Sequence, residues 1–137
     1  MELTDYTSVI MIRKILLPWL PAILMMITIF GFSSIPSNEM PDLGLMNMVV
    51  QKGGHVLGYG LLSLAYWFAL RFDKRRWWLA LLFVLIYAIS DEFHQSFIPG
   101  RHPGWVDVLV YDGGSAAVAL GLAYWARVRN AVIKKGE

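Results

Sequence analysis

The chain has 137 residues, of which 57% are hydrophobic and only 16% charged, and its mean hydropathy is +0.52. A soluble domain of this size carries about 25% charged residues and cannot bury so many apolar side chains in one core, which argues against a soluble enzyme, a disordered tail or a nucleic-acid arm. Cysteine is absent, so disulfides, zinc knuckles and thiol nucleophiles are ruled out, and a formal net charge of only +2 makes the placement of charges more informative than their sum.

A membrane-spanning helix needs about 20 mostly apolar residues. The first such stretch is 15–32, with Pro18 and Pro21 near its start. It exceeds the apolar core of about 7–15 residues in a signal peptide, and no small-x-small cleavage site follows it, so it reads as an uncleaved span. The second stretch, 53–70, is bracketed by Lys52 and Arg71. The third begins at Trp77. Stopped at Ser90 it would give only about 21 Å of helix, short of a bilayer core of about 30 Å. Continued to Ile98 it reaches about 33 Å, and Pro99-Gly100 supplies a stop. The fourth stretch, 105–126, is bounded by Arg127 and Arg129. The expected fold is all-α: a polytopic membrane protein in which a four-helix transmembrane bundle forms one domain over 1–137. Soluble helices would each show a clear polar face, and these show very little.

Lysine and arginine positions set the orientation. In a four-span topology ten of the twelve lie on one side: Arg13 and Lys14, the cluster Arg71, Lys74, Arg75 and Arg76, and Arg127, Arg129, Lys134 and Lys135. Lys52 and Arg101 remain on the other. Both termini are therefore expected in the cytoplasm of a bacterial cell, with the connections around 33–52 and 91–104 outside the inner membrane. The basic residues lack interleaved base-stacking aromatics, so no nucleic-acid partner is expected; they suit the anionic cytoplasmic leaflet.

Ionisable groups inside a membrane cost about 2.5–3.5 kcal/mol each and persist when partnered or wet. Several gather at the outer ends of helices two to four. His55 and Tyr59 are four apart, on one face. Asp91, His94, Gln95 and Ile98 fall within about 100° of one another, with Glu92 beside them. Arg101 lies in the outer turn Pro99-Gly100-Arg101-His102-Pro103-Gly104, Asp107 just inside helix four, and Asp112 deeper. Each has a plainer reading: Lys52 as a snorkelling anchor, His55 as a packing histidine, His102 as a solvated turn residue, Asp91 and Glu92 as interfacial acids, Asp107 as a helix cap, Asp112 as an interhelical partner. Their convergence on one membrane face favours a shared pocket. Gly54-x-x-x-Gly58 and Gly113-x-x-x-Ala117-x-x-x-Gly121 read as packing seams. Phosphate-loop, metalloprotease and nucleophile-elbow motifs are absent.

The pieces Phe32-Ser33-Ser34-Ile35-Pro36, Lys52-x-x-His55-x-x-x-Tyr59-Gly60, Glu92-x-x-Gln95-x-x-x-Pro99-Gly100-Arg101 and Asp107-Val108, in that order, resemble the VanZ-like family of small bacterial membrane proteins. One position departs: where the family commonly has asparagine four residues after the helix-four aspartate, this chain has Tyr111, followed by Asp112. The resemblance implies an envelope role and, through the family's namesake, lowered sensitivity to lipoglycopeptide antibiotics such as teicoplanin. It brings no reaction and no cofactor.

Three functions compete. In a binding protein, Lys52, His55, Tyr59, Glu92, Gln95, Arg101 and Asp107 would hold an anionic membrane lipid or lipid-linked cell-wall precursor, with Arg101 on its phosphate or carboxylate. In a membrane-embedded hydrolase or transferase, Glu92 or Asp107 would be general base, His55 or His94 its acid–base partner and Arg101 the stabiliser of negative charge; a metal version would use Glu92, His94 and Asp107. In a structural protein, the glycine seams would join a second copy or another membrane protein.

Overall fold

The computed structural model describes residues 12–40, 44, 46–102 and 104–136. Pro103, in the turn after the third stretch, and 41–43 and 45 of the first connection lie outside the described residues. The fold is helical, with no strand among the described residues. Helix α1 is Leu20–Ser33, entered through a π-helical turn at Ile12–Leu16 and a 3-10 turn at Leu17–Trp19. Pro18 and Pro21 each occupy a first-turn position, where the missing N–H has no helical partner to lose, so neither breaks the span. Helix α2 is Met46–Ala69 and α3 is Trp77–Gln95. Helix α4 is Gly114–Gly136, led in by a second π-helical segment, Asp107–Gly113.

Among the described residues three helices are long and apolar enough to cross a membrane, at Arg13–Ser33, Trp77–Gln95 and Asp107–Lys134. The remaining helix, α2, carries Asn47, Gln51, Lys52 and His55 in its first half and packs against the other three. The surface is inverted relative to a soluble protein: Leu24, Ile27, Leu57, Leu82, Ile86, Val118 and Leu122 are exposed, whereas Asp91, Glu92, Gln95 and Asp112 are buried. This is the distribution of a membrane protein, whose outer surface meets hydrocarbon.

The helix bounds differ from the apolar runs at three points. Helix α2 starts seven residues before Gly53, α3 stops at Gln95 short of Ile98, and α4 continues to Gly136, ten residues beyond Ala126. Hydropathy marks where lipid begins and ends, and backbone bonding continues through polar interfacial residues. The early end of α3 is a tightening of the chain: Phe97 and Ile98 donate to the carbonyls of His94 and Gln95, three residues back.

The core is built where α2 meets its neighbours. Tyr59, Leu62 and Tyr66 recur at helical spacing on α2 and pack with Ala80, Val84, Tyr87 and Ala88 of α3 and Ala116 and Leu120 of α4. Small residues on α3 and α4 admit the bulky α2 side chains. At the end opposite the polar cluster, α2 closes with Arg71 and Phe72 at φ of 60° and 53°. This left-handed pair is unusual for non-glycine residues. The Phe72 N–H reaches the Trp67 carbonyl at 2.8 Å, the Phe72 ring meets Trp67 at 5.4 Å, and the Arg127 guanidinium covers Phe72 at 3.7 Å. Together these contacts hold the strained corner.

Candidate functional site

The helix ends that carry Ser33, His55 and Gln95 bear two grooves separated by a polar core. Asp91, at 2% exposure, is the centre of that core. Its Oδ2 accepts hydrogen bonds from Ser33 Oγ (2.7 Å), Tyr59 OH (3.0 Å) and Gln95 Nε2 (3.0 Å), one donor from each of α1, α2 and α3. Its Oδ1 is buried without a partner among the described residues. A carboxylate with several donors on one oxygen locks three helices at one level, and each donor left without it would cost about 1–3 kcal/mol.

Helix α4 joins this core through its π-helical entry. Asp107 and Asp112 are five residues apart, which ordinary winding would set about 140° apart. The wider i→i+5 winding turns both toward α2. Asp112, fully buried, accepts from His55 Nδ1 at 2.9 Å, and its Oδ2 has no partner among the described residues. The His55 ring stacks on Tyr59 with centroids 5.8 Å apart. Asp107 pairs with Lys52, whose ammonium also lies 4.6 Å from the Tyr111 ring centroid. Lys52 and His55, three apart on α2, thus meet successive acids of α4.

The first groove lies between α1 and α2 and has a volume of about 400 Å³. Met25, Ile29, Phe32 and Val50 give it apolar walls, Gly54 and Gly58 leave it room, and its polar groups include Thr28, Ser33, Gln51, His55, Tyr59 and Arg101. Arg101 donates from Nη2 to the Phe32 carbonyl (2.9 Å) and from Nε to the Ile35 carbonyl (3.2 Å), capping the end of α1. Burial pushes the pKa of this guanidinium below its ordinary value, with Asp91 and Glu92 pulling it back up by charge. The turn that presents it is pinned: Gly100, at φ 74°, approaches Ser37, whose Oγ donates to the Gly100 carbonyl at 2.6 Å.

The second groove, between α3 and the start of α4, has a volume of about 470 Å³ and contains Glu92. Glu92 Oε2 accepts from the Gly104 N–H at 2.9 Å. His94 faces a third direction, bonding Ser34 Oγ at 2.9 Å and stacking on Phe30 at 4.3 Å. The expected single pocket is therefore divided. His55, Tyr59 and Arg101 line one groove, Gln95 stands behind it through Asp91, Glu92 lines the other, and Lys52 and Asp107 close on each other. The physical reason is the turn of about 100° per residue, which separates Asp91 from Glu92 and Glu92 from His94 on one helix.

Among the described residues no group of three His, Asp or Glu side chains is arranged to hold a metal ion. Glu92, His94 and Asp107, the alternative metal set, turn instead to Gly104, Ser34 and Lys52. The glycine seams are partial. A Cβ on Gly113 would meet Leu85 at 2.9 Å, and one on Gly58 would meet Ile29 at 3.4 Å, whereas Gly54 and Gly121 have nothing within 4 Å. A Cβ on Gly60 of α2 would meet Ala119 of α4 at 3.7 Å, ordinary contact. Asp112, read in the sequence as an interhelical partner, is one, bonded to His55; the sequence assigns Ser33 no role of its own, since a serine ending an apolar run reads equally well as a turn.

Neither a curated protein nor a solved structure matches the chain. A family model does match, over residues 16–127, a range that contains both grooves and every polar contact between them. By that match the chain belongs to the VanZ/LLP1 family.

Proposed function

We propose that the protein lies in the bacterial inner membrane with both termini in the cytoplasm, and that its α1/α2 groove faces outward and binds an anionic cell-envelope lipid or lipid-linked cell-wall precursor. One observation carries this reading. The groove has an apolar wall along α1 and its cation, Arg101, at the end where α1 stops. Along α1 the walls run Met25, Ile29, Phe32 and then Ser33, a distance of about 12 Å at 1.5 Å per residue. An acyl or prenyl chain fits beside Met25 and Ile29, and its phosphate or carboxylate meets the guanidinium through charge-assisted hydrogen bonds. Occupation of an envelope precursor in this way is the route by which the protein would lower sensitivity to a lipoglycopeptide such as teicoplanin.

The test is retention of phosphatidylglycerol and of a polyprenyl phosphate by the detergent-purified protein, read by native mass spectrometry. Wild type is expected to retain both, and Arg101→Gln to lose at least five-fold. Equal retention by the folded variant would refute the reading. Expression in a susceptible strain is expected to raise the inhibitory concentration of teicoplanin at least two-fold, and Arg101→Gln to cancel the rise.

A specific observation favours a second reading, acid–base catalysis on the same ligand. Asp112 holds His55 by Nδ1, so that Nε2 has no protein partner among the described residues while the ring lines the groove. His55→Gln would then abolish turnover of the bound lipid while leaving its retention intact. Retention and turnover unchanged together would remove the catalytic reading.

A further inference from the structure

The second groove has the opposite chemistry to the first. Along α3 its lining runs Ile86, Ile89, Ser90, Phe93 and Ser96, the spacing of one helix face, over about 15 Å from the apolar middle of the span to its polar end. Glu92 is the charged side chain of this lining, at 8% exposure. Gly104 occupies its Oε2, and Oε1 has no protein partner among the described residues.

The hydroxyls of the groove are fixed as acceptors. Ser90 Oγ donates its proton to the Tyr87 carbonyl at 2.7 Å, and Ser96 Oγ donates to the Phe93 carbonyl at 2.6 Å. Each oxygen therefore offers lone pairs and has no proton left to give. The Gly104 N–H is already committed to Glu92, so the donors left in the lining are the indole and backbone N–H groups of Trp105. A phosphate or carboxylate would find repulsion and few hydrogen-bond donors. A primary ammonium carries three donors and one positive charge, which suits the Glu92 carboxylate; the Ser90 and Ser96 oxygens and the Phe93 and Trp105 rings, 69% and 72% exposed, are spread along the same lining as further acceptors and cation-binding faces.

We infer that the α3/α4 groove binds an amphiphile with a primary ammonium headgroup, the ammonium on Glu92 Oε1 and the acyl chain along Ile86 and Ile89. The inference is independent of the ligand assigned to the α1/α2 groove. Its closing experiment is a competition in detergent between phosphatidylethanolamine and its N-acetyl derivative, which keeps the phosphate and both chains but lacks the ammonium. The protein used is Arg101→Gln, which lowers any retention by the first groove, and the site is read from the difference that a change at Glu92 makes in that background. Preferential retention of the free amine by at least three-fold is expected, and Glu92→Gln added to that background is expected to erase the preference. Equal retention of the two lipids, or a preference that survives Glu92→Gln, overturns the inference. Should the double variant not fold, Trp105→Ala replaces Glu92→Gln: its ring is exposed, and its loss is expected to halve the preference or more, an unchanged preference again counting against the site.

Discussion

Asp91 and Glu92 are adjacent in the chain and belong to opposite sides of the bundle. Asp91 gathers Ser33, Tyr59 and Gln95 behind the α1/α2 groove, and Glu92 turns to Gly104 in the α3/α4 groove. Substitutions at the two positions are therefore expected to separate. Asp91→Ala strands three buried donors, at about 1–3 kcal/mol each, and should lower the thermal midpoint in detergent sharply. Asp91→Asn keeps an acceptor oxygen and should fall between that variant and wild type. Glu92→Gln keeps an acceptor for Gly104 and should leave the midpoint within a few degrees of wild type. Equal loss at both positions would contradict the two-sided arrangement.

The His55–Asp112 pair gives a double-mutant cycle. Removing the imidazole in His55→Leu leaves a fully buried carboxylate without its partner, a change of about 3–5 kcal/mol in comparable cases. Replacing both residues, in His55→Leu with Asp112→Leu, should recover most of that loss, because the buried charge goes with its partner. Additive losses by chemical denaturation would show that the two do not interact.

Lys52 and Asp107 form the more exposed ion pair, with side-chain exposures of 34% and 25%. Solvent screening leaves such pairs worth about 0–1 kcal/mol. Lys52→Ala is expected to change stability by less than the His55→Leu substitution, and the change should shrink further in high salt. A salt-independent loss as large as that of His55→Leu would mean that the pair is shielded from solvent.

Gly113, at the end of the π-helical segment, and Gly121, on α4, should respond in opposite directions. A Cβ at Gly113 meets Leu85 Cδ2 at 2.9 Å and the Val108 carbonyl at 3.1 Å, so Gly113→Ala should destabilise by about 1–3 kcal/mol. Gly121 is exposed within the helix with nothing within 4 Å, and Gly121→Ala should stabilise by about 0.5–1 kcal/mol. Unfolding midpoints of the two variants check both signs.

The proposed orientation is testable because the chain has no cysteine. A single cysteine at Asn38 should react with a membrane-impermeant maleimide in intact cells, and one at Arg75 only after permeabilisation. The reverse pattern would place both grooves on the cytoplasmic side.

Much of the fold is legible in the sequence because hydrocarbon imposes a simple rule: long apolar runs separated by short polar turns, with lysine and arginine concentrated on alternate connections. Helix ends are less legible, since Lys52 and Arg127 mark the water boundary while the helical backbone passes through both. The site was readable as a set of residues and not as a geometry. His55, Tyr59 and Arg101 share a groove, as their position at the outer helix ends suggests. Glu92 does not, because one residue of helix is enough to change the side it faces. The role of Asp112 depended on a widened turn, and single-sequence periodicity assumes ordinary winding. Arg101 was legible as a cation at the right level, yet nothing in the sequence shows that it closes a helix 68 residues earlier in the chain, at Ser33.

In the proposed function, that closure would tie ligand capture to mechanics. A guanidinium has five N–H groups, and α1 and its exit engage two of them, so a headgroup can be gripped without fraying the helix. The converse is less forgiving. Any pull that draws the Pro99–Arg101 turn outward strips the last carbonyls of α1 and empties the groove of its positive charge in the same motion, making this single side chain a fuse between the outer loop and the bundle.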